Sequence, residues 1–395
     1  MPILLFTIVL FGIGFGLVIP GMPFVAQNFG ATPFWASFTL GLYAWGQLIS
    51  TLIWGRLSDR IGRKPVLIVT GVGVSLAYLL MAFAPNLFVL AAARFLSGLM
   101  GGIAPAMAYA ADVTPPEKRA QSIGWIGASM SSGFILGPAI GGLLGGSTAA
   151  DASLFWPGIV AFVLAAGTAL ATALYLKESL PPEKRAGSAE RGADGQSLAL
   201  RHIVRRPLMV EILVLGFAVY VAMAMFENIF PFWARERFAW GPRQVGLAFT
   251  WLAVVVAVVQ GFVVGRVAPR IGEGRLAISG IAAYAVGLVV MTFGPSLGWM
   301  LLGITLTSGG SGVYLTAMST FVTNTAQAHE RGTVLGVYQS ASWGGRAVGP
   351  SIAGLFYATL GHDAPLLAAA TIMLPCVALL AYITSQHARP AESGA

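Results

Sequence analysis

Long apolar runs separated by short polar segments fill almost the whole sequence. Twelve of these runs have about 20 residues or more, enough for an α-helix to cross about 30 Å of hydrocarbon. The predicted spans, numbered 1 to 12 in chain order, are residues 3–27, 36–55, 65–84, 87–111, 120–146, 154–176, 208–233, 244–264, 276–294, 297–322, 332–358 and 363–385. The first run is predicted to be span 1, because it lacks the basic start of a signal peptide and is longer than an apolar signal core. The pattern predicts an all-α membrane protein with twelve transmembrane helices.

Composition supports a membrane protein and excludes several soluble classes. Of the 395 residues 56% are hydrophobic and 10% are charged, whereas a soluble globular chain carries about 25% charged residues. A cytosolic enzyme, a disordered tail and a nucleic-acid-binding module are therefore excluded. The single cysteine excludes an intramolecular disulfide, the four histidines lack metal-ligand spacing, and no phosphate-binding loop sequence is present. We expect no cofactor, no metal and no direct ATP hydrolysis.

The basic residues predict the orientation of the chain. Of 23 lysines and arginines, 18 fall in segments that share one side of the membrane, three fall on the other side, and Arg94 and Arg346 lie within spans. By the positive-inside rule this asymmetry places both termini in the cytoplasm. The net charge of +8 therefore reflects topology and attraction to anionic lipid, and we expect no nucleic-acid partner.

The two halves of the chain repeat each other at a nearly constant offset. The sequence around 83–87 recurs 210 residues later at 293–297, and Gly133, Gly137, Pro138 and Gly142 recur at an offset of 212. Such a repeat of six spans is typical of transporters whose substrate site lies near the midplane. We therefore predict two pseudo-symmetric six-helix bundles. Their predicted bounds are 1–176 and 208–386, joined by a polar cytoplasmic linker at 177–207 and followed by a cytoplasmic tail at 387–395.

Residues 55–65, Gly-Arg-Leu-Ser-Asp-Arg-Ile-Gly-Arg-Lys-Pro, join spans 2 and 3 on the predicted cytoplasmic side. The glycines of so tight a loop allow close backbone approach. Its basic residues repel one another unless acidic partners lie close, and the topology brings Asp112 and Glu178 to the same face. We expect Arg63, Asp112 and Glu178 to form a charge cluster, with Asp59 closing against the start of span 11, that latches the outward-facing state. The alternative is a basic anchor that only sets orientation.

This run resembles the loop 2–3 motif of the major facilitator superfamily, and the resemblance covers essentially the whole chain. The matching positions are Gly55, Asp59, Arg60, Gly62, Arg63 and Lys64. The second copy is degraded, since Pro269 replaces the aspartate and Glu273 replaces the second arginine. The resemblance implies two helical bundles around a central cavity that spans 1, 4, 7 and 10 line.

Span 5 carries a second motif, which resembles the G-x-x-x-G-P-x-x-G-G element of the family's proton-coupled antiporters. Its residues are Gly133, Gly137, Pro138, Gly141 and Gly142. Small residues four apart let helices approach closely, and the proline bends the helix. The motif favours an exporter, and generic tight packing is the alternative.

Two charged residues inside spans break the repeat and are predicted to couple transport to protons. Arg94 lies in span 4, in a sequence that resembles the R-x-x-x-G element of drug:proton antiporters, and its repeat mate is Ile304. Glu227 in span 7 stands opposite Gly16 and is the first candidate for the protonated carboxylate, with Arg94 as its counter-charge. The alternatives are an arginine that extends to the outer surface and an interfacial glutamate near Arg235.

Further polar and aromatic side chains could supply polarity or stacking in the cavity, although aromatic residues also form interfacial belts. These candidates are Tyr43, Gln47, Tyr220, Asn228, Trp251, Gln260, Tyr314 and Gln339.

The function expected from these features is export of a small amphiphilic compound or drug in exchange for protons. The most similar branch is that of the drug:proton antiporters, which includes tetracycline-efflux-like proteins. The expected partners are a small-molecule substrate, protons and the lipid bilayer, in a monomer in the bacterial cytoplasmic membrane. Two alternatives stay open, a proton-coupled uptake symporter of the same fold and a non-transporting membrane receptor or assembly factor.

Overall fold

The helices of the structure follow the predicted spans, with ends that shift by several residues. The computed structural model describes residues 2–115, 119–181, 206, 208–326 and 330–387. Within these ranges all regular secondary structure is helical. Most of the predicted linker at 177–207 and residues 388–395 of the predicted tail lie outside the described residues.

The helix bounds define the spans used below. Span 1 is Pro2–Val18 with Met22–Asn28, span 2 is Pro33–Ile61, span 3 is Arg63–Ala82, span 4 is Leu87–Leu99 with Ile103–Val113, span 5 is Arg119–Leu144, and span 6 is Phe155–Tyr175. Span 7 is Met209–Phe238, and span 8 runs from Pro242–Val258 through a π-helical turn, Val259–Val264, into Gly265–Ile271. Spans 9 to 12 are Glu273–Phe293, Leu297–Asn324, Arg331–Leu360 and Ala364–His387.

Nine of these helical segments, counted over the described ranges, are long and apolar enough to cross a membrane. Spans 2, 10 and 11 are as long but more polar. The polarity of span 10 comes from serines and threonines such as Thr307 and Ser308. Their hydroxyls donate to carbonyls of their own helix and so need no water. The all-helical class with twelve helical spans is confirmed.

The chain divides into two compact units. The first is Met1–Gln196 with Asn228–Thr250, and the second is Ser197–Glu227 with Trp251–Ala395. The first unit therefore takes in the end of span 7 and the start of span 8, where a Cβ on Gly142 would lie 3.0 Å from the Cα of Gly246. Two glycines allow this approach, because neither carries a side chain. The bundle bounds of 1–176 and 208–386 stay a prediction.

Glycines set the closest helix contacts in both units, at equivalent places of the repeat. In the first unit spans 1 and 5 meet so that a Cβ on Gly137 would lie 2.7 Å from the Cα of Gly16. In the second unit spans 7 and 11 meet so that a Cβ on Gly349 would lie 2.7 Å from the carbonyl oxygen of Val221. Since Gly349 is the repeat mate of Gly137, the internal repeat of the sequence is also a repeat of packing.

Span 4 is interrupted at residues 100–102, and side chains of span 2 satisfy the carbonyls that the break releases. Trp54 Nε1 donates to the carbonyl of Leu99 at 2.6 Å, and Ser50 Oγ donates to the carbonyl of Gly101 at 2.6 Å. Unpaired backbone groups are costly away from water, so these bonds make the interruption tolerable. They also fix span 2 against span 4, next to Arg94.

Candidate functional site

Arg63 lies at the centre of the predicted charge cluster. Its Nη1 is 2.6 Å from Asp59 Oδ1, and its Nε donates to Asp112 Oδ2 at 3.1 Å. The two oxygens of Glu178 accept hydrogen bonds from the backbone N–H groups of Arg63 and Lys64, at 2.9 and 3.2 Å. The cluster thus ties together the ends of spans 2, 3, 4 and 6.

The backbone at Gly62 makes this arrangement possible. Its φ of +109° and ψ of 160° lie in a region that is essentially restricted to glycine. Span 3 begins directly after it, with no side-chain cap of its own, and Glu178 places its negative charge on the free N–H groups of the first turn. A carboxylate is favourable there, because the N-terminal end of a helix carries partial positive charge.

Two hydroxyls that sequence reasoning missed complete the cluster. Ser58 Oγ accepts from Arg63 Nη1 at 2.6 Å, and Ser179 donates to Asp112 Oδ2 at 3.1 Å. Ser58 lies inside the predicted run, whereas Ser179 had no signal beyond its position after Glu178. Arg60 is exposed, and the closure of Asp59 against the start of span 11 stays a prediction.

The expectation that Gly55 allows close backbone approach in a tight loop is wrong. It lies within the helix of span 2, and a Cβ there would meet nothing within 4 Å. Close backbone approach is therefore not what this position requires. Gly62 is the glycine of the run that its backbone conformation demands.

Glu227 is paired with Arg346, and its expected pairing with Arg94 stays a prediction. Arg346 Nη1 donates to Glu227 Oε2 at 2.5 Å, and Nη2 donates to Oε1 at 3.3 Å. The guanidinium also lies over the ring of Tyr220, 5.2 Å from its centroid. Spans 7 and 11 supply these residues, so the carboxylate inside span 7 has a two-point partner within its own unit. We call this contact the intramembrane pair.

Arg94 lies instead between two aromatic rings of the first unit. Its Cζ is 4.7 Å from the ring centroid of Tyr43 and 5.2 Å from that of Phe15. The residue is 5% exposed, which argues against an arginine that extends to the outer surface. Cation–π attraction stabilises its charge from spans 1 and 2.

Gly133, Gly137 and Gly141 of the span 5 motif pack against span 1, and Gly142 packs against span 8. A Cβ on Gly137 would lie 2.7 Å from the Cα of Gly16, and one on Gly141 would collide with the carbonyl oxygen of Leu17. Pro138 takes part, since its Cδ would lie 2.7 Å from a Cβ on Gly16. Spans 1 and 5 are therefore in backbone contact.

The eight cavity candidates fall into different surroundings. Tyr43 and Tyr220 contact the arginines of spans 4 and 11, and Trp251 Nε1 donates to Thr305 Oγ1 at 3.0 Å. Tyr314 is fully buried and shares a hydrogen bond of 2.9 Å with the hydroxyl of Tyr338, so it belongs to the interior of the second unit.

The remaining candidates differ in burial. Gln47 is buried, Asn228 and Gln260 are half-buried, and Gln339 is exposed. Gln260 lies in the π-helical turn of span 8, a local geometry that is frequent at functional sites. A role in a cavity stays a prediction for these four.

Comparison with known proteins gives the chain its relatives. A family model described as Major Facilitator Superfamily matches residues 4–241 and 212–395. The class B tetracycline resistance protein of Escherichia coli is 30% identical over 89% of this chain and 86% of its own length. The class G tetracycline resistance protein of Vibrio anguillarum is 31% identical over 88% of each chain.

Solved structures share the fold at low sequence identity. The crystal structure of the human organic anion transporter MFSD10 (TETRAN) matches with a TM-score of 0.73 and 23% identity, over 96% of this chain and 98% of that one. A POT family transporter in complex with 5-aminolevulinic acid matches with a TM-score of 0.80 and 11% identity, over 98% and 96% of the two chains. Together these structures establish the architecture of twelve helical spans.

Proposed function

We propose that this protein, which belongs to the major facilitator superfamily, exports a small amphiphilic compound in exchange for protons. Like its relatives, it is a multi-pass membrane transporter and not an enzyme. The direction of transport rests on the span 5 motif, which resembles that of the family's antiporters, and tetracycline resistance proteins are similar along most of the chain. It places the protein in the bacterial cytoplasmic membrane as a monomer, with both termini in the cytoplasm.

The intramembrane pair carries the proposal. Glu227 is the acidic residue well inside a span, and both of its oxygens accept hydrogen bonds from Arg346. A proton on either oxygen removes the negative charge and so weakens the attraction to the guanidinium. The pair therefore has two states, closed when Glu227 is ionised and released when it is protonated.

Proton access to the pair is consistent with its exposure. The side chains of Arg346 and Glu227 keep 28% and 38% of their accessible surface. Both side chains are therefore partly accessible from their surroundings. In the proposed cycle a proton from outside reaches Glu227 as substrate leaves, and release of the pair favours the return to the inward-facing state.

Rigid contacts elsewhere can convert this local change into alternating access. Spans 1 and 5 are locked together by glycines, and spans 7 and 11 are locked in the same way. A change at the pair then acts on whole helices instead of single side chains. The charge cluster around Arg63 latches the outward-facing state in this proposal.

The direction of proton movement tests the proposed exchange. Purified protein in liposomes that enclose a pH-sensitive dye would be exposed to a panel of dyes, antibiotics and sugars. For an antiporter, entry of a substrate must drive protons out of the lumen, so the lumen becomes alkaline. Acidification would identify an uptake symporter, and no proton movement with any compound that binds would favour a receptor or assembly factor.

A further inference from the structure

Arg94 is a buried cation whose hydrogen-bonding groups are not all used. It is 5% exposed, and its Nε and Nη1 have no hydrogen-bond partner among the residues that the structure describes. Arginine carries five N–H donors and is always charged in proteins. A buried charge without an anionic partner is unfavourable, so such a residue in a membrane span is expected to serve a ligand or a pathway.

The aromatic neighbours of Arg94 stabilise its charge without satisfying its N–H groups. The rings of Tyr43 and Phe15 lie 4.7 and 5.2 Å from Cζ. Ring faces attract positive charge, but they offer no lone pair of the kind that a carboxylate or phosphate oxygen offers. The rings also contact each other, with centroids 4.7 Å apart, and so form one continuous wall.

The position of Arg94 is fixed by the packing of spans 2 and 4. A Cβ on Gly98, one turn after Arg94, would collide with the carbonyl oxygen of Tyr43, so the two backbones touch there. Ser50 and Trp54 hold the same two spans together at the break in span 4. The guanidinium is thus held in place before any ligand arrives, which reduces the entropy that binding must cost.

The other arginine inside a span does not share this feature. Arg346 donates two hydrogen bonds to Glu227 and already has its anion. Arg94 and Arg346 thus both lie well inside a span beside aromatic rings, but only Arg346 is neutralised by a carboxylate. Among the described residues Arg94 has no negative partner.

We propose that Arg94 binds an anionic group of the transported compound, a carboxylate, sulfonate or phosphate, through Nε and Nη1. This inference rests on the proposed function, since it names the substrate class of that transporter. The anion accepts a hydrogen bond from Nε and one from Nη1, in the plane of the guanidinium. Tyr43 and Phe15 contact the faces of the guanidinium. A cation is repelled at the same place, and a neutral analogue makes weaker hydrogen bonds.

Equilibrium dialysis of the full-length protein in lipid nanodiscs tests the inference without any proton gradient. The probes share one ring system and differ in charge: naphthoate, naphthalenesulfonate and naphthyl phosphate are anions, naphthamide is neutral, and naphthylmethylammonium is a cation. We expect at least one anion to bind about tenfold or more tighter than naphthamide, since a charged hydrogen bond is lost in the neutral probe. The cation should bind weakest.

Variants assign the preference to Arg94. R94Q should bind anion and neutral probe alike, and R94K should keep part of the preference because it retains charge but not the planar fork. R266Q is the control, since Arg266 is an exposed arginine far along the chain in span 8. Wild-type protein that binds no anion better than naphthamide would overturn the inference, and so would an R94Q protein that keeps the preference.

Failure of this inference and failure of the proposed function give different results. If R94Q does not fold, the comparison of anion and amide on the wild type decides the question alone. Anion binding without proton movement in liposomes would support this site and contradict proton exchange. Proton-coupled export of cationic or neutral compounds only, with no anion binding, would do the reverse.

Discussion

Arg346 donates hydrogen bonds to both oxygens of Glu227, and at both equivalent positions of the repeat the other half of the chain has an uncharged residue. The repeat mate of Glu227 is Gly16, and that of Arg346, at the offset of 212, is Phe134. In the first unit Phe134 packs edge-on against Phe15, with centroids 5.4 Å apart. The same helix pair therefore carries an aromatic contact in one half and an ion pair in the other. Symmetric packing does not explain this difference, which favours a functional role.

Separate and joint removal of the two charges should give non-additive stability. E227Q and R346Q each leave one charge without its partner, whereas E227Q/R346Q removes both. Because the side chains are 28% and 38% exposed, we expect a coupling free energy of about 1 kcal/mol, below that of a fully buried pair. Thermal unfolding in detergent measures it, and additive shifts in melting temperature would contradict the pairing.

Loss of Arg63 should impair transport more than loss of either carboxylate that it contacts. R63Q removes the partner of Asp59, Asp112 and Ser58 at once, whereas D59N leaves the bond to Asp112 in place. We expect R63Q to reduce export on the order of tenfold and D59N to reduce it less, with normal insertion in both. R56Q removes an exposed arginine of the same run and is the control. Export by R63Q equal to that by R56Q would remove the latch from the account.

A methyl group on Gly141 should separate spans 1 and 5. Its Cβ would collide with the carbonyl oxygen of Leu17, and a backbone atom cannot move aside cheaply. We expect G141A to cost about 1–3 kcal/mol or to lower the yield of folded protein. G127A is the matched control in the same helix, because a Cβ there meets nothing within 4 Å. Equal melting temperatures for the two variants would show that this contact is not tight.

Gly62 and Gly55 should respond in opposite ways to alanine. The φ of +109° at Gly62 is strained for alanine, at about 1–3 kcal/mol, and a shift there withdraws the N–H of Arg63 from Glu178. G55A, in open space within a helix, should be neutral or slightly stabilising. Melting temperature and export would be measured for both. A loss of export in G55A as large as that in G62A would assign Gly55 a role outside the contacts described.

The sequence could predict which helices exist and which of their charges meet at the loop between spans 2 and 3. Apolar run length predicts the spans, and the positions of Arg63, Asp112 and Glu178 at the same ends of their helices predict that they come together. The hydrogen bonds from the backbone to Glu178 could not be predicted, because they depend on the turn at Gly62.

The partner of Glu227 was missed although the sequence contained a signal for it. Glu227 and Arg346 both break the repeat, and Gly133 and Gly137, which pack span 5 on span 1, recur in span 11 as Gly345 and Gly349. Equivalent packing of spans 7 and 11 would have brought the two residues together. The similar distance of Arg94 and Glu227 from the helix ends suggests a different pair, since depth alone does not say which helices are neighbours.

A comparison of proton-coupled export by E227Q and E236Q tests most directly whether Glu227 carries the proton. Both changes neutralise a glutamate of span 7, but Glu236 is an exposed residue near the end of that helix. Transport of the substrate across the liposome membrane would be measured with and without an imposed pH gradient. We expect E227Q to lose the response to the gradient and E236Q to keep it. Export by E227Q that still follows the gradient would contradict the proposal that Glu227 carries the proton.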